Sequence, residues 1–385
     1  MKEFSVGLFN DSFPPSIDGV AQTVKNYAEN LHKKDCRVTV VTPKYRDAQD
    51  NYPYEVFRYP SIPASSLVGY RVGVPFDPET LLQLHKKKFD IMHIHAPFAS
   101  SVLVSTLNHR HRVPTVLTYH TKFDIDLEKR ITNTAFRKLA TEFVSRNVNA
   151  VDEVWVVTES CGEALHNIGY DGPYRVMENG TDFPKGVASP EAVVALRENY
   201  DLREDVPVFL FVGRLMWYKN LKLILDSLKL VKDGGQPFRA FIIGEGYDAP
   251  AIEQYSVELG LENEVTFTGP IRDREYLRTF YSVCDLFLFP STYDTCGIVV
   301  KEAAACDCPS LLVEGSCAAE GVIHRQNGFL AKEEAASCAA AITDAVNDRR
   351  LLRQVGVRAG ESLYLSWEDA VGRAYDRYRE ILEKK

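Results

Sequence analysis

DLFLFPSTYDTCGIVVKEAAACDCP, residues Asp285–Pro309, reads as three elements in succession. DLFLFP is a short apolar run of aromatic and branched side chains stopped by Pro290, the pattern of a strand buried on both faces of a parallel sheet. STYDTCG supplies a polar loop, and Gly297 opens a helical run, IVVKEAAA. In that order the unsatisfied N–H groups of the helix start lie beyond the strand's carboxyl end, a place suited to hydroxyls or phosphate. Asp294 in the loop and Glu302 in the helix are eight positions apart, so the first sits near the helix mouth and the second about two turns along.

The same alternation extends through the chain in both directions. VPVFLFVG, RAFIIGEG, VTFTG and PSLLVE are further strands of the second half. In the first half the strand EFSVGLFN, the Pro-rich loop DSFPPSIDGV and the helix AQTVKNYAENLHKK lead to RVTVVTP, a βαβ opening. YEVFRY, a loop from Pro60 to Pro75, FDIMHIH, PTVLTYH, DEVWVVT and YRVMENG follow, with helices expected over Ala99–His109 and Leu127–Val148. The expected fold is α/β, two doubly wound Rossmann-like domains in tandem whose facing strand ends form a cleft. Apolar periodicity lapses around FPKGVASP, which sets the domains at 1–185 and 186–367. The last helix, with Trp367, Tyr375 and Tyr378, is expected to return over 368–385 to complete the first domain.

Composition narrows the class. A chain of 385 residues, 45% hydrophobic and 25% charged, is too long for one ordinary core and suits two domains. It shows no apolar run long enough to cross a bilayer and no signal-peptide pattern before its first strand, so a cytoplasmic location is expected. Eight scattered cysteines without paired C-x-x-C spacing read as free thiols rather than zinc ligands or disulfides. The net charge of -8 speaks against nucleic acid. Residues 1–185 hold 22 basic and 22 acidic side chains against 23 and 31 in 186–385, so the whole excess lies in the second half.

Several strand ends carry side chains or glycines suited to a ligand. Gly19 precedes a helix, where a missing side chain lets a ligand approach the backbone; plain turn chemistry is the competing explanation. His95 and His120 close two strands, and ligands of open parallel sheets bind at such ends. A hydrogen-bonded structural histidine is the alternative for His120, and His93 reads as simply buried. Arg214 and Lys219 lie between a Gly-containing strand end and the next helix, where a diphosphate would meet two cations. Gly244 in GEGYD could let a nucleotide lie against the backbone. A dinucleotide fingerprint, a P-loop and a G-x-S-x-G elbow are all missing from the sequence, which disfavours hydride transfer, P-loop hydrolysis and serine chemistry.

Taken in order, DGV at Asp18, YHT at Tyr119, NGTD at Asn179, GRLMWYKN at Gly213, GEG at Gly244, FTGPI at Phe267 and DTCGIVVKEAA at Asp294 resemble the retaining glycosyltransferases of family 4, which have the GT-B fold. The resemblance covers nearly the whole chain. It implies a UDP-sugar donor, with Arg214 and Lys219 on the diphosphate, Glu302 on the ribose, and the N–H groups of Cys296, Gly297 and Ile298 toward sugar or phosphate. It also places Ile271 at the base, Gly19 on the pyrophosphate side, and His120 and Asp294 at the transferred sugar. No cofactor and no metal are expected. The family usually has Glu where this chain has Asp294, so the carboxylate reaches less far. YHTKFDID and EGSCAAEGV look closest to the bacterial diacylglycerol glucosyltransferases within the family, which implies a hexose, glucose by that likeness, passed to a membrane lipid. An amphipathic, partly basic stretch with Leu127, Ile131, Leu139, Phe143, Lys129, Arg130, Arg137, Lys138 and Arg146, beside Leu67, Val68, Tyr70 and Arg71, is the candidate surface for an anionic membrane and a peripheral location on its inner face. A soluble or polysaccharide acceptor, a sugar-nucleotide epimerase and a non-catalytic nucleotide-sugar binder are the alternatives.

Overall fold

A computed structural model describes residues 4–16, 18–63, 71–120 and 133–384. They fall into two units, one of residues Met1–Asn179 with Trp367–Lys385 and one of Gly180–Ser366. The first holds β1 (Ser5–Phe9), β2 (Arg37–Pro43), β3 (Glu55–Tyr59), β4 (Ser61–Pro63), β5 (Arg71–Gly73), β6 (Ile91–Ile94), β7 (Thr115–Tyr119), β8 (Glu153–Val156) and β9 (Tyr174–Val176). Seven of these form a parallel sheet in the order β3-β2-β1-β6-β7-β8-β9, and β4 and β5 pair antiparallel by themselves. The second unit holds β10 (Val208–Val212), β11 (Arg239–Ile243), β12 (Val265–Gly269), β13 (Leu286–Leu288), β14 (Ser310–Val313) and β15 (Phe329–Ala331), ordered β12-β11-β10-β13-β14-β15 and again parallel. Both are Rossmann-like α/β sheets.

Every residue of β1 and of β10 is buried, because helices cover both faces of a parallel sheet and leave no polar side. In each unit the winding reverses beside the first strand, between β1 and β6 and between β10 and β13. At such a reversal the loops leaving an open parallel sheet diverge, and ligands of this architecture bind at the carboxyl edge there.

The division falls at Asn179/Gly180, six residues before the expected 185/186. The physical reason is local: Thr181 N donates to Leu365 O at 2.8 Å, Gly186 N donates to Ala305 O at 2.7 Å, and Phe183 packs edge-on against Tyr281 at 5.6 Å. Those partners all belong to the second unit. The helix Trp367–Glu383 belongs to the first: Tyr378 reaches His93, Tyr375 stacks on Phe4 at 5.4 Å, and Arg377 Nε donates to Glu153 at 2.9 Å. The stretch Pro60–Pro75, read as a loop, contains β4 and β5, and β15 was not anticipated. Seven of the eight cysteines are buried free thiols and Cys296 is half-buried. Among the described residues no helix is long and apolar enough to cross a membrane.

Candidate functional site

The site in the second unit grows from the exits of β10 and β13. After β10 the chain runs against the GEG segment so closely that a Cβ on Gly244 (φ +145°) would lie 1.8 Å from Gly213 O, and one on Gly246 2.2 Å from Leu215 O. Gly244 is therefore demanded by backbone packing, without reference to a ligand. Backbone bonds from Gly213 to Ile243 and from Leu215 to Glu245 fix the same approach. A single turn, Trp217–Lys219, follows, and Asn220 (φ 59°) ties it to the β13 exit by donating to Pro290 O at 2.9 Å.

That tie brings Lys219 to Asp294. The two form an ion pair, with the ammonium 5.5 and 5.8 Å from the ring centres of Tyr218 and Tyr293. Lys219 is only 7% exposed, and a cation so enclosed persists because a carboxylate and two aromatic faces replace its water. The second oxygen of Asp294 is buried and has no hydrogen-bond partner among the described residues. Arg214 is exposed to solvent.

Gly297 caps the helix Ile298–Ala305 in the left-handed region (φ +52°), with Ala318 Cβ 3.2 Å from where a Cβ would stand. Among the described residues no side chain caps this helix, so its first N–H groups suit an anion. Cys296 is half-buried in the preceding loop, and Ile271 is partly buried against the unit's hydrophobic core. Glu302 is buried, and both of its oxygens are already engaged: Oε1 accepts from Arg274 at 2.7 Å and Oε2 from the Tyr281 hydroxyl at 2.9 Å. Burial raises its pKa, with Arg274 opposing. Arg274 also grips Asp182 through two nitrogens and lies 4.3 Å over the Phe183 ring. A ribose hydroxyl would have to join this network through the remaining carboxylate lone pairs. Sequence reasoning missed Arg274 and Tyr281 and gave Asp182 no role although it closes the NGTD motif; the signal available for Arg274 was that it opens the helix just after FTGPI.

In the first unit, Asp18 caps the helix Gly19–His32 by accepting from Ala21 N at 2.7 Å. A Cβ on Gly19 would meet nothing within 4 Å, and its φ is not in the left-handed region. Among the described residues neither packing nor backbone requires glycine there. His95 and His120 stand just past neighbouring β6 and β7, with His95 Nδ1 3.0 Å from His120 Nε2. Burial holds His120 down at about pKa 3, so it is neutral at physiological pH. His93 is buried between the Tyr378 hydroxyl and the Thr118 hydroxyl, at 2.5 and 2.7 Å. Thr121 lies outside the described residues.

Of the expected helix over Leu127–Val148, the described part is Thr134–Val148; Leu127, Lys129, Arg130 and Ile131 lie outside the described residues, as do Leu67, Val68 and Tyr70. Val144 and Val148 face the core. Phe136, Leu139 and Phe143 are 58%, 61% and 42% exposed. At about 100° per residue these three fall within an arc of about 60°, well away from the buried valines. Exposed Lys138 and Arg146 lie to one side of that stripe, with Glu142 close to Lys138. Among the described residues no group of three or more His, Cys, Asp or Glu side chains is placed to hold a metal ion.

Comparison with known proteins follows the same two halves. The family profile for Glycosyltransferase Family 4 matches residues 17–183, and that for glycosyl transferases group 1 matches residues 194–361. An alpha-monoglucosyldiacylglycerol synthase of Acholeplasma laidlawii is 27% identical over 319 residues, 80% of this chain and 79% of its own. Sucrose-phosphate synthase from Thermosynechococcus elongatus has a similar fold over the whole of both chains, with TM-score 0.80 at 20% identity. Anabaena Alr3699/HepE in complex with UDP-glucose is similar over the whole of both chains, with TM-score 0.78 at 19% identity.

Proposed function

Since the chain belongs to the GT-B glycosyltransferases, a Family 4 half followed by a group 1 half, we propose that it moves a hexose from a UDP-sugar to the hydroxyl of a membrane lipid, diacylglycerol first among them, with retention at the anomeric carbon. The observation that carries the lipid acceptor is the exposed stripe Phe136, Leu139 and Phe143, flanked by cations, on the helix Thr134–Val148. Three large apolar side chains on one exposed arc match a helix lying in a headgroup layer. The likeness to a diacylglycerol glucosyltransferase agrees with it.

For the donor, Arg214 and Lys219 take the diphosphate, helped by the uncapped helix start at Gly297–Ile298. Those charges do the neutralising that a divalent metal does elsewhere, so the reading is metal-independent. Glu302 takes the ribose, Ile271 borders the base, Gly19 leaves room beside the pyrophosphate, and Asp294 and His120 contact the transferred sugar. A likeness to a UDP-glucose-bound structure supports the choice of uridine donor and glucose. Retention without a carboxylate nucleophile implies reaction on one face of the sugar, with the leaving phosphate accepting the acceptor's proton.

The test is UDP release from a panel of sugar nucleotides, with diacylglycerol vesicles and soluble sugars as acceptors. The expected result is release from a UDP-hexose that requires the lipid. Turnover without any acceptor would indicate an epimerase, binding without release a non-catalytic binder, and stimulation by soluble sugar alone would overturn the lipid assignment.

A further inference from the structure

His95 closes β6 one residue beyond its last bridge, yet it has no part in the reading above. Its ring is enclosed by His93 at 4.0 Å and by the edge-on ring of Tyr27 at 5.2 Å, and it lies nearly parallel to His120, 20° apart at 5.2 Å. His95 Nε2 is buried and has no partner among the described residues, so the contact of Nδ1 with His120 Nε2 is the one described hydrogen bond of the His95 ring. Both rings are buried, and burial holds both neutral. Between two neutral imidazoles, one nitrogen of the pair must carry the hydrogen and the other must accept it. An exposed histidine exchanges its two tautomers through water; here the exchange would require both rings to change together. The place of the proton on His120 is therefore tied to its place on His95.

We propose that His95 is a positioning residue for His120, fixing its tautomer and ring plane so that one defined nitrogen serves the transferred sugar. This rests on the reading of His120 as a sugar contact. Misplacing a reacting group by about 1 Å can cost about a hundredfold in rate while leaving ground-state binding alone.

The experiment uses the full chain, with UDP-glucose as donor and diacylglycerol vesicles as acceptor, together with nitrogen-15 spectra of the histidine rings. Substituting His95→Leu should lower kcat about 10- to 100-fold with KM for UDP-glucose within about twofold. His95→Asn, whose amide keeps a polar atom near the position of Nδ1, should recover most of the loss and covers the case in which the leucine variant folds poorly. Added to His120→Ala, the leucine change should cost nothing further. In the spectra, the His120 ring nitrogens should move in His95→Leu toward the averaged values of an unconstrained imidazole. Unchanged His120 resonances and kcat in His95→Leu, with His120→Ala impaired, would overturn the proposal alone. Wild-type turnover in His120→Ala would remove the sugar-contact reading and the proposal with it.

Discussion

Lys219 is neutralised by Asp294 before any donor arrives, and a diphosphate reaching for that cation meets a carboxylate already in place. The shorter aspartate ends at the lysine, leaving its other oxygen buried and without a hydrogen-bond partner among the described residues. Removing the charge while keeping the shape, as Asp294→Asn, should release Lys219 and tighten UDP by up to about tenfold, an energy of about 1.4 kcal/mol, while sugar transfer falls. Calorimetry with UDP beside a turnover assay checks it; weaker UDP binding in that variant would mean the pair holds the phosphate site open. Exposed Arg214 has no such rival among the described residues, and Arg214→Ala should weaken UDP by about 1.5 to 3 kcal/mol, measured the same way. None of this pairing was legible in the sequence. Lys219 and Asp294 are 75 positions apart, Arg274 and Glu302 are 28 apart, and spacing of that kind has no signature until strands place the loops.

The helix Thr134–Val148 gives the clearest prediction at the scale of one element. Replacing Phe136, Leu139 and Phe143 together by Ser should abolish co-flotation with anionic liposomes and leave UDP affinity and melting temperature close to wild type, since exposed positions cost little in stability. A large fall in melting temperature would show that the stripe packs against the protein instead. Elements of this length were legible because their apolar spacing repeats over several turns, and strands such as VFLFV because branched and aromatic runs between turn residues have few other uses. Three of the three-residue strands were not. Ser61–Pro63 contains a proline, Arg71–Gly73 ends in glycine, and Phe329–Ala331 is too short to show a period. What the helix face does was ambiguous for a different reason: amphipathic spacing is the same whether the apolar side meets a core or a bilayer.

Across the whole molecule, acid should act unequally on the two units. His93, His95 and His120 are held below their ordinary range by burial, so the unfolded chain binds protons that the folded one refuses. Stability from these groups is present above about pH 6.5 and falls as pH drops from there toward the folded value of about 3 for His120, a loss on the order of 2 kcal/mol at pH 5 for that ring alone. Asp11, which burial raises to about 6, works in the opposite sense over the same range. In the second unit burial raises Asp285, Glu302 and Asp307, which favours the folded state as pH falls. Melting at pH 7.5 and pH 5.5, followed by scanning calorimetry, should show the transition of the first unit moving down more than that of the second; equal shifts would contradict it. The first unit has a further peculiarity, since the helix Trp367–Glu383 that seats Tyr378 on His93 follows the entire second unit in the chain. On the ribosome the seven-stranded sheet therefore emerges early and waits, its seat for Trp367 and Tyr378 vacant, until residues 180–366 have all been translated. The half of the molecule made first is the half finished last, and its apolar seat stays uncovered throughout that interval.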